Sequence, residues 1–340
     1  MRIPHKRLAL AAASGLATTA VLAATAQAVP AQASAAQASP AQAAALPSGL
    51  AAPYLYLGWG NPPSATSVMS ATGIQQFTMA FILSDGTCNP KWDGSRALTG
   101  GTDQSTIKAI RNAGGDVTVS FGGWSGDKLG EKCSSASKLA AAYQKVIDAY
   151  ALTSIDVDIE STEFESATVR QRVIDALKTV KTNNPGLKAY LTFGTTTTGP
   201  DSDGQDLIKR GAAKGLDLDG WSVMPFDYDQ GAVDMAATTK TAVNGLKDDV
   251  AAAYGLSSDA AYRKVGFSSM NGITDVAGET VTLANFKSML GYAKSHHLAR
   301  VSFWSVNRDR ACGSGTDADS CSGIIQGTYD FTKALAGYTG

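Results

Sequence analysis

Ser154-Ile155-Asp156-Val157-Asp158-Ile159-Glu160 decides the fold, because three acids fall on alternate residues with β-branched apolar residues between them. On a strand, successive side chains leave by opposite faces. Asp156, Asp158 and Glu160 therefore share one face, and Ile155, Val157 and Ile159 share the other. A half-buried antiparallel strand turns an apolar face inward and a mixed polar face to water. An acidic face backed by a wholly apolar one fits a parallel barrel instead. There the apolar face packs on helices, and the other lines the interior up to a site at the strand's C-terminal end. An acidic edge strand or a cation site fits less well, since edges favour lysine and mixed charge and calcium loops carry glycine, asparagine and tight turns.

Working outward, short β-rich runs alternate with helical patterns. The strand expectations are 54–59, 77–83, 116–121, 154–160, 187–194, 220–226, 264–270 and 300–306. Helical spacing covers 105–112, 136–150, 167–182, 204–214, 236–254 and 283–297. Gly114-Gly115 and Asn183-Asn184-Pro185-Gly186 supply helix-stop chemistry after the first and third of these. Eight strands, each followed by a crossover, is the pattern of an α/β protein with a single (β/α)8 TIM barrel. A doubly wound open sheet is the alternative, because periodicity alone does not show closure. The acid strand is the fourth, with Glu160 at its C-terminal end. Trp59, Gly122-Gly123-Trp124, Asp227-Tyr228 and Trp304 fall at matching ends of other strands.

Ahead of the barrel, residues 1–28 read as a secretory signal: Arg2, Lys6 and Arg7, then an Ala-rich apolar run, then Ala26-Gln27-Ala28 as a small-residue cleavage site. A retained membrane anchor is the competing reading. Residues 29–50, almost entirely Ala, Gln, Ser and Pro, read as a disordered tether. Residues 51–340 then form one domain of ordinary barrel size. With 29 basic against 30 acidic residues, nothing draws the chain to nucleic acid or an anionic membrane surface. Cys88, Cys133, Cys312 and Cys321 suit two disulfides in an exported protein and match no zinc spacing.

Histidine is scarce: His5 lies in the signal, and His296 and His297 are expected on the surface after a helix. A Ser–His–Asp hydrolase is therefore disfavoured, and Gly123-Trp124-Ser125-Gly126 does not complete a nucleophile elbow. Phosphate-loop and dinucleotide fingerprints are absent. No metal or cofactor is expected, which leaves the carboxylates to carry the chemistry.

These residues resemble the family 18 glycoside hydrolases, the chitinases and endo-β-N-acetylglucosaminidases. The family's fourth-strand motif D-x-x-D-x-D-x-E is matched by Asp156, Asp158 and Glu160, with Thr153 in the first position. Its third-strand S-x-G-G is matched by Ser120-Phe121-Gly122-Gly123, and its sixth-strand M-x-Y-D is approached by Met224-Pro225-Phe226-Asp227. Trp304 stands where the eighth strand carries a tryptophan under the reacting sugar. The resemblance covers about residues 54–306 and looks closest to compact secreted chitinases of bacteria and archaea.

That resemblance implies a secreted monomer acting on chitin or its oligomers, in which the substrate's own N-acetyl oxygen attacks C1 and configuration is retained. Glu160 becomes the general acid/base, Asp158 the holder of the acetamido N–H, and Asp156 a partner sharing a proton with Asp158. Trp304, Asp227, Tyr228, Met224, Phe226, Gly122, Gly123 and Trp59 become the sugar-contacting set, with Trp92 and Trp124 as further candidates for an aromatic path. Phe226 lacks the hydroxyl that the family's tyrosine gives the acetamido oxygen, and Tyr228 is the candidate replacement. Thr153 is expected to alter packing only, and Ile159 to face the helices. On the strand map, Cys88 pairs with Cys133 across neighbouring loops, and Cys312 with Cys321 inside one loop. Alternatives are cleavage of N-glycans or peptidoglycan, or a non-hydrolytic chitin-binding lectin. The lectin is disfavoured because Glu160 is present.

Overall fold

A computed structural model describes residues 49–314 and 318–340. The expected signal and nearly all of the tether lie outside these residues. Leu50, expected as the last residue of the tether, already belongs to the barrel. Leu50–Ala51 pairs in parallel with Arg300 and Val301 on one side. Tyr54–Tyr56, in the same stretch of chain, pairs with Thr78–Ala80 on the other. The first strand thus joins the eighth to the second and closes the ring, so the sheet is a (β/α)8 barrel and not an open one.

The remaining barrel strands follow the expected order: Gln76–Ser84, Asp116–Gly122, Ser154–Asp158, Lys188–Gly194, Gly220–Met224, Val265–Met270 and Arg300–Trp304. Each is hydrogen-bonded in parallel to the next. Helices Thr102–Asn112, Ala136–Tyr150, Ala167–Asn183, Ser202–Ala213, Met235–Tyr254 and Leu283–His296 cover the outside. Ser135, Ser166, Asp201, Asp234 and Thr282 cap five of them by accepting from backbone N–H groups of the first turn. Each such cap is worth about 1 kcal/mol. The spacing did not reveal helix Ala65–Thr72, strand Pro90–Trp92 or the hairpin Gly272–Ile273 with Thr280–Val281. These pieces are too short for a period to register.

Alternation on the fourth strand holds. Ile155, Val157 and Ile159 are buried in one core cluster with Tyr143, Val146, Val173 and Leu177 of the neighbouring helices. Burial of each such side chain contributes about 1.5–3 kcal/mol. Their partners Asp156 and Asp158 therefore face the barrel axis. Thr153 is exposed below the strand, where its hydroxyl donates to Asp116 at 3.0 Å, away from the acids. At the rim, disulfides join Cys88 to Cys133 (Cα–Cα 4.6 Å) and Cys312 to Cys321 (5.0 Å), the pairing the strand map gives.

Candidate active site

Asp156 is fully buried, and four donors converge on it. Tyr54 Oη and Ser120 Oγ donate to Oδ2 at 2.7 Å each. Thr192 Oγ1 at 2.8 Å and an Arg300 guanidinium nitrogen at 2.5 Å donate to Oδ1. Arg300 is also fully buried; it donates to Thr78 and Thr192, and Tyr54 and Tyr190 present their rings 5.6 and 5.4 Å from its guanidinium carbon. Burial, then the nearby Asp156 and Asp158, hold the Tyr54 phenol well above its ordinary range, so it remains a donor.

Asp156 is thus surrounded by a cation and three hydroxyls. Burial, then the charges of Glu160 and Asp156, push the Asp158 carboxyl well above the usual carboxylate range, and its Oδ1 has no hydrogen-bond partner. Arg300 lies 144 residues from Asp156 in sequence, on a strand read only for its tryptophan, so nothing local pointed to the pairing.

Regular strand pairing stops at Asp158, and Glu160 occupies the N-cap of helix Ser161–Glu165. Its backbone is still extended (φ −138°, ψ 168°), so the side chain keeps the acid face while rising to the rim. Glu160 is partly exposed, and burial raises it to about 7, with Lys128 pulling it down and Asp227 pushing it up. Gly122 and Gly123 have φ of +102° and +87°. A Cβ on Gly122 would lie 2.2 Å from the Asp158 carbonyl oxygen, and one on Gly123 would enter the Phe81 ring. Gly123 N–H donates to that same carbonyl at 2.8 Å, so the glycines let the third strand pass directly against the acid strand.

Trp304 lies over Phe81, with ring centroids 5.6 Å apart and planes 13° apart, and Tyr54, Tyr56 and Trp59 crowd its other edges at 5.9–6.4 Å. Phe81, which no motif marked, thus completes an aromatic floor beside the acids. Trp59 and Trp124 are exposed at the rim. Trp92 is not part of the floor: it is buried, and its indole N–H donates to Tyr150 Oη at 2.8 Å.

Around the sixth strand, Met224 is buried at the strand end, Phe226 is partly buried against the core, and Asp227 takes a left-handed conformation (φ +52°). Asp227 Oδ1 accepts from Val276 N–H at 3.1 Å. Buried Glu279 accepts from Tyr228 N–H at 2.8 Å and fixes the turn. Tyr228 departs from expectation. It joins the core, its hydroxyl beside Thr239 of helix Met235–Tyr254, and does not replace the hydroxyl absent at Phe226. His296 also differs: it is partly buried and stacks on Tyr262 with centroids 4.1 Å apart, while His297 is exposed.

No family model matches the chain. A probable bifunctional chitinase/lysozyme of Escherichia coli K12 is 28% identical over 288 residues, covering 79% of this chain and 32% of that protein. Endochitinase 11 of Metarhizium anisopliae is 29% identical over 280 residues, covering 78% and 53%. The chain thus spans a third to a half of the length of these curated relatives. The catalytic domain of a hyperthermophilic chitinase from Pyrococcus furiosus superposes with a TM-score of 0.77 at 26% identity, covering 86% of this chain and 96% of that one. Barrel closure, acids on the fourth strand, and likeness to chitinases in both sequence and structure agree, and over most of its length the chain is similar to chitinases.

Proposed function

We propose that the protein is a secreted chitinase that cleaves β-1,4-linked N-acetylglucosamine chains with retention, by substrate assistance. The observation that carries this reading is the rim carboxyl of Glu160, raised to about 7, on the same strand face as the deeper Asp158, whose carboxyl burial pushes well above the usual range, with the Trp304 floor at the same end of the barrel. An acid with its pKa near the working pH suits proton donation followed by proton removal.

Glu160 protonates the glycosidic oxygen as the acetamido oxygen attacks C1 and the C1–O bond breaks. The resulting oxazolinium is positive, and Asp158, whose Oδ1 has no protein partner, holds its N–H. Glu160 then takes a proton from water as that water attacks C1 from the face the leaving group occupied, the C1–O bond of the oxazolinium breaks and the acetamide is regenerated. Two inversions give retention. Trp304 supports the sugar ring, Asp227 contacts the acetamido group, and Trp59 and Trp124 extend the cleft.

Residues 1–28 as an export signal and 29–49 as a tether agree with two disulfides, which persist in oxidising compartments. The Escherichia coli relative is a probable bifunctional chitinase/lysozyme, which makes peptidoglycan the second substrate to assay. Glu160→Gln tests the core of the reading. It should lower turnover of chitin oligomers at least about 10²–10⁴-fold while binding, followed by calorimetry, stays within a few-fold. Turnover close to the unsubstituted enzyme removes Glu160 from the mechanism.

A further inference from the structure

The barrel is stitched unevenly between its first and eighth strands. Among the described residues, ladder pairing across this seam joins Leu50–Ala51 to Arg300 and Val301, at the strands' N-terminal ends. Nearer the rim, Tyr54–Tyr56 pairs as a strand with the second strand alone. Asn307, in the 3₁₀ turn Val306–Arg308 after the eighth strand, bridges the opening with its side chain. Its Oδ1 accepts from Tyr56 N–H at 3.2 Å, and its Nδ2 donates to the carbonyls of Tyr56 at 2.8 Å and Trp59 at 3.0 Å. A carboxamide carries the donor and the acceptor of a peptide group, so Asn307 stands in for a strand partner at this height. It is 2% exposed, and removing the amide would leave those backbone groups unpaired.

The same loop is held from outside. Arg310 donates through Nη2 to the Asn61 carbonyl at 2.7 Å and through Nε to the Ser320 carbonyl at 2.6 Å. It thereby ties the loop after the first strand to the segment beside Cys321, which is bonded to Cys312. Gly60 fits there only as glycine: its φ is +74°, and a Cβ would lie 2.7 Å from the Asp319 carbonyl oxygen. What the loop presents is Trp59. Its indole stands edge-on to Tyr56 at 4.6 Å and to Trp304 at 6.4 Å, yet the residue is 48% exposed. The backbone of this loop is thus pinned by two side chains, while much of the Trp59 ring stays open to water beside the Trp304 floor.

We propose that Asn307 and Arg310 are positioning residues for Trp59: they hold its indole as a wall for an N-acetylglucosamine unit farther along the chain than the one on Trp304. The proposal rests on the chitin-chain reading of the cleft. A sugar gains most from an aromatic ring that is already in place, because a loop that must be ordered on binding surrenders part of the gain as conformational entropy. Asn307 and Arg310 meet that cost at folding. Both act through the loop backbone, and so on the binding of long chains rather than on proton transfer at Glu160.

The test is initial-rate kinetics on N-acetylchitohexaose and on a fluorogenic chitobioside, with folding of each variant followed by near-UV circular dichroism and Tm. Trp59→Ala should raise KM for the hexaose about three- to tenfold, more than it lowers kcat and more than it changes KM for the bioside. Asn307→Ala should do the same, and Arg310→Met should do so by less, because Asn307 still holds the loop. In a Trp59→Ala background neither should add a further rise, since both act through that ring. Arg310, partly exposed at the rim, decides the matter if Asn307→Ala does not fold. Equal losses on both substrates, a fall in kcat with KM unmoved, or full additivity with Trp59→Ala overturns the proposal. So does a lowered Tm with KM for the hexaose unchanged, which is the signature of a purely structural role. If the unsubstituted protein cleaves neither substrate, the chitin reading fails instead, and the two failures are distinguishable.

Discussion

Replacing Arg300 by methionine should destabilise the barrel by about 3–4 kcal/mol, because it orphans the Asp156 carboxylate. Removing one member of a fully buried pair typically costs about 3–5 kcal/mol, and both members here have no exposed side-chain surface. The lower part of that range is expected, because Tyr54, Ser120 and Thr192 still donate to Asp156 after the guanidinium is gone. Asp156→Asn should cost a similar amount by leaving Arg300 without its anion. The double variant should then lose less than the sum of the two, by about 2 kcal/mol or more, since neither buried charge remains. Guanidinium denaturation at neutral pH gives all four stabilities. Additive single losses would refute the assignment of Arg300 as the counter-charge of the site.

Other outcomes follow from single features of the molecule. Tyr228→Phe should leave kcat/KM on chitin oligomers within about twofold, since a surface-sized effect is all a hydroxyl facing Thr239 can exert on the cleft; a large loss would return Tyr228 to the substrate. The alkaline limb of kcat/KM should fall near pH 7, because the acid form of Glu160 is the donor and is lost as pH rises through about 7; a limb above pH 9 would contradict this. Cys88–Cys133 closes 45 residues and Cys312–Cys321 only 9, so chain entropy assigns them about 4 and about 2.6 kcal/mol. Replacing the first pair by serine should therefore lower Tm more than replacing the second.

The fold was legible because strand alternation is strict. Ile155, Val157 and Ile159 could be assigned to the helix side from spacing alone, and the eight β-rich runs kept their order in the barrel. Closure was not legible. It depends on Leu50 pairing with Arg300, a contact across 250 residues in a stretch whose composition reads as linker. Trp92 and Tyr228 mark another limit. Both sit beside the right strand ends, but one residue of backbone rotation decides whether an aromatic ring enters the cleft or the core, and a sequence run does not record it.

The arrangement of charge was the least legible part, and it explains why the acid face can exist. Four buried or partly buried carboxyls lie close together, which would be prohibitive without cations. Arg300 neutralises Asp156 from inside the barrel, while burial raises Asp158, Glu160 and Glu163 and so disfavours their charged forms. Under the proposed mechanism a negative charge appears on one of these acids only during turnover. When Glu160 donates its proton, the new anion is electrostatically coupled to Asp158, next to the position where the oxazolinium becomes positive. When water is consumed, Glu160 regains its proton and the arrangement resets. The spacing of the acids announces a site, but the arginine that neutralises its deepest member sits on a separate strand and carries no motif.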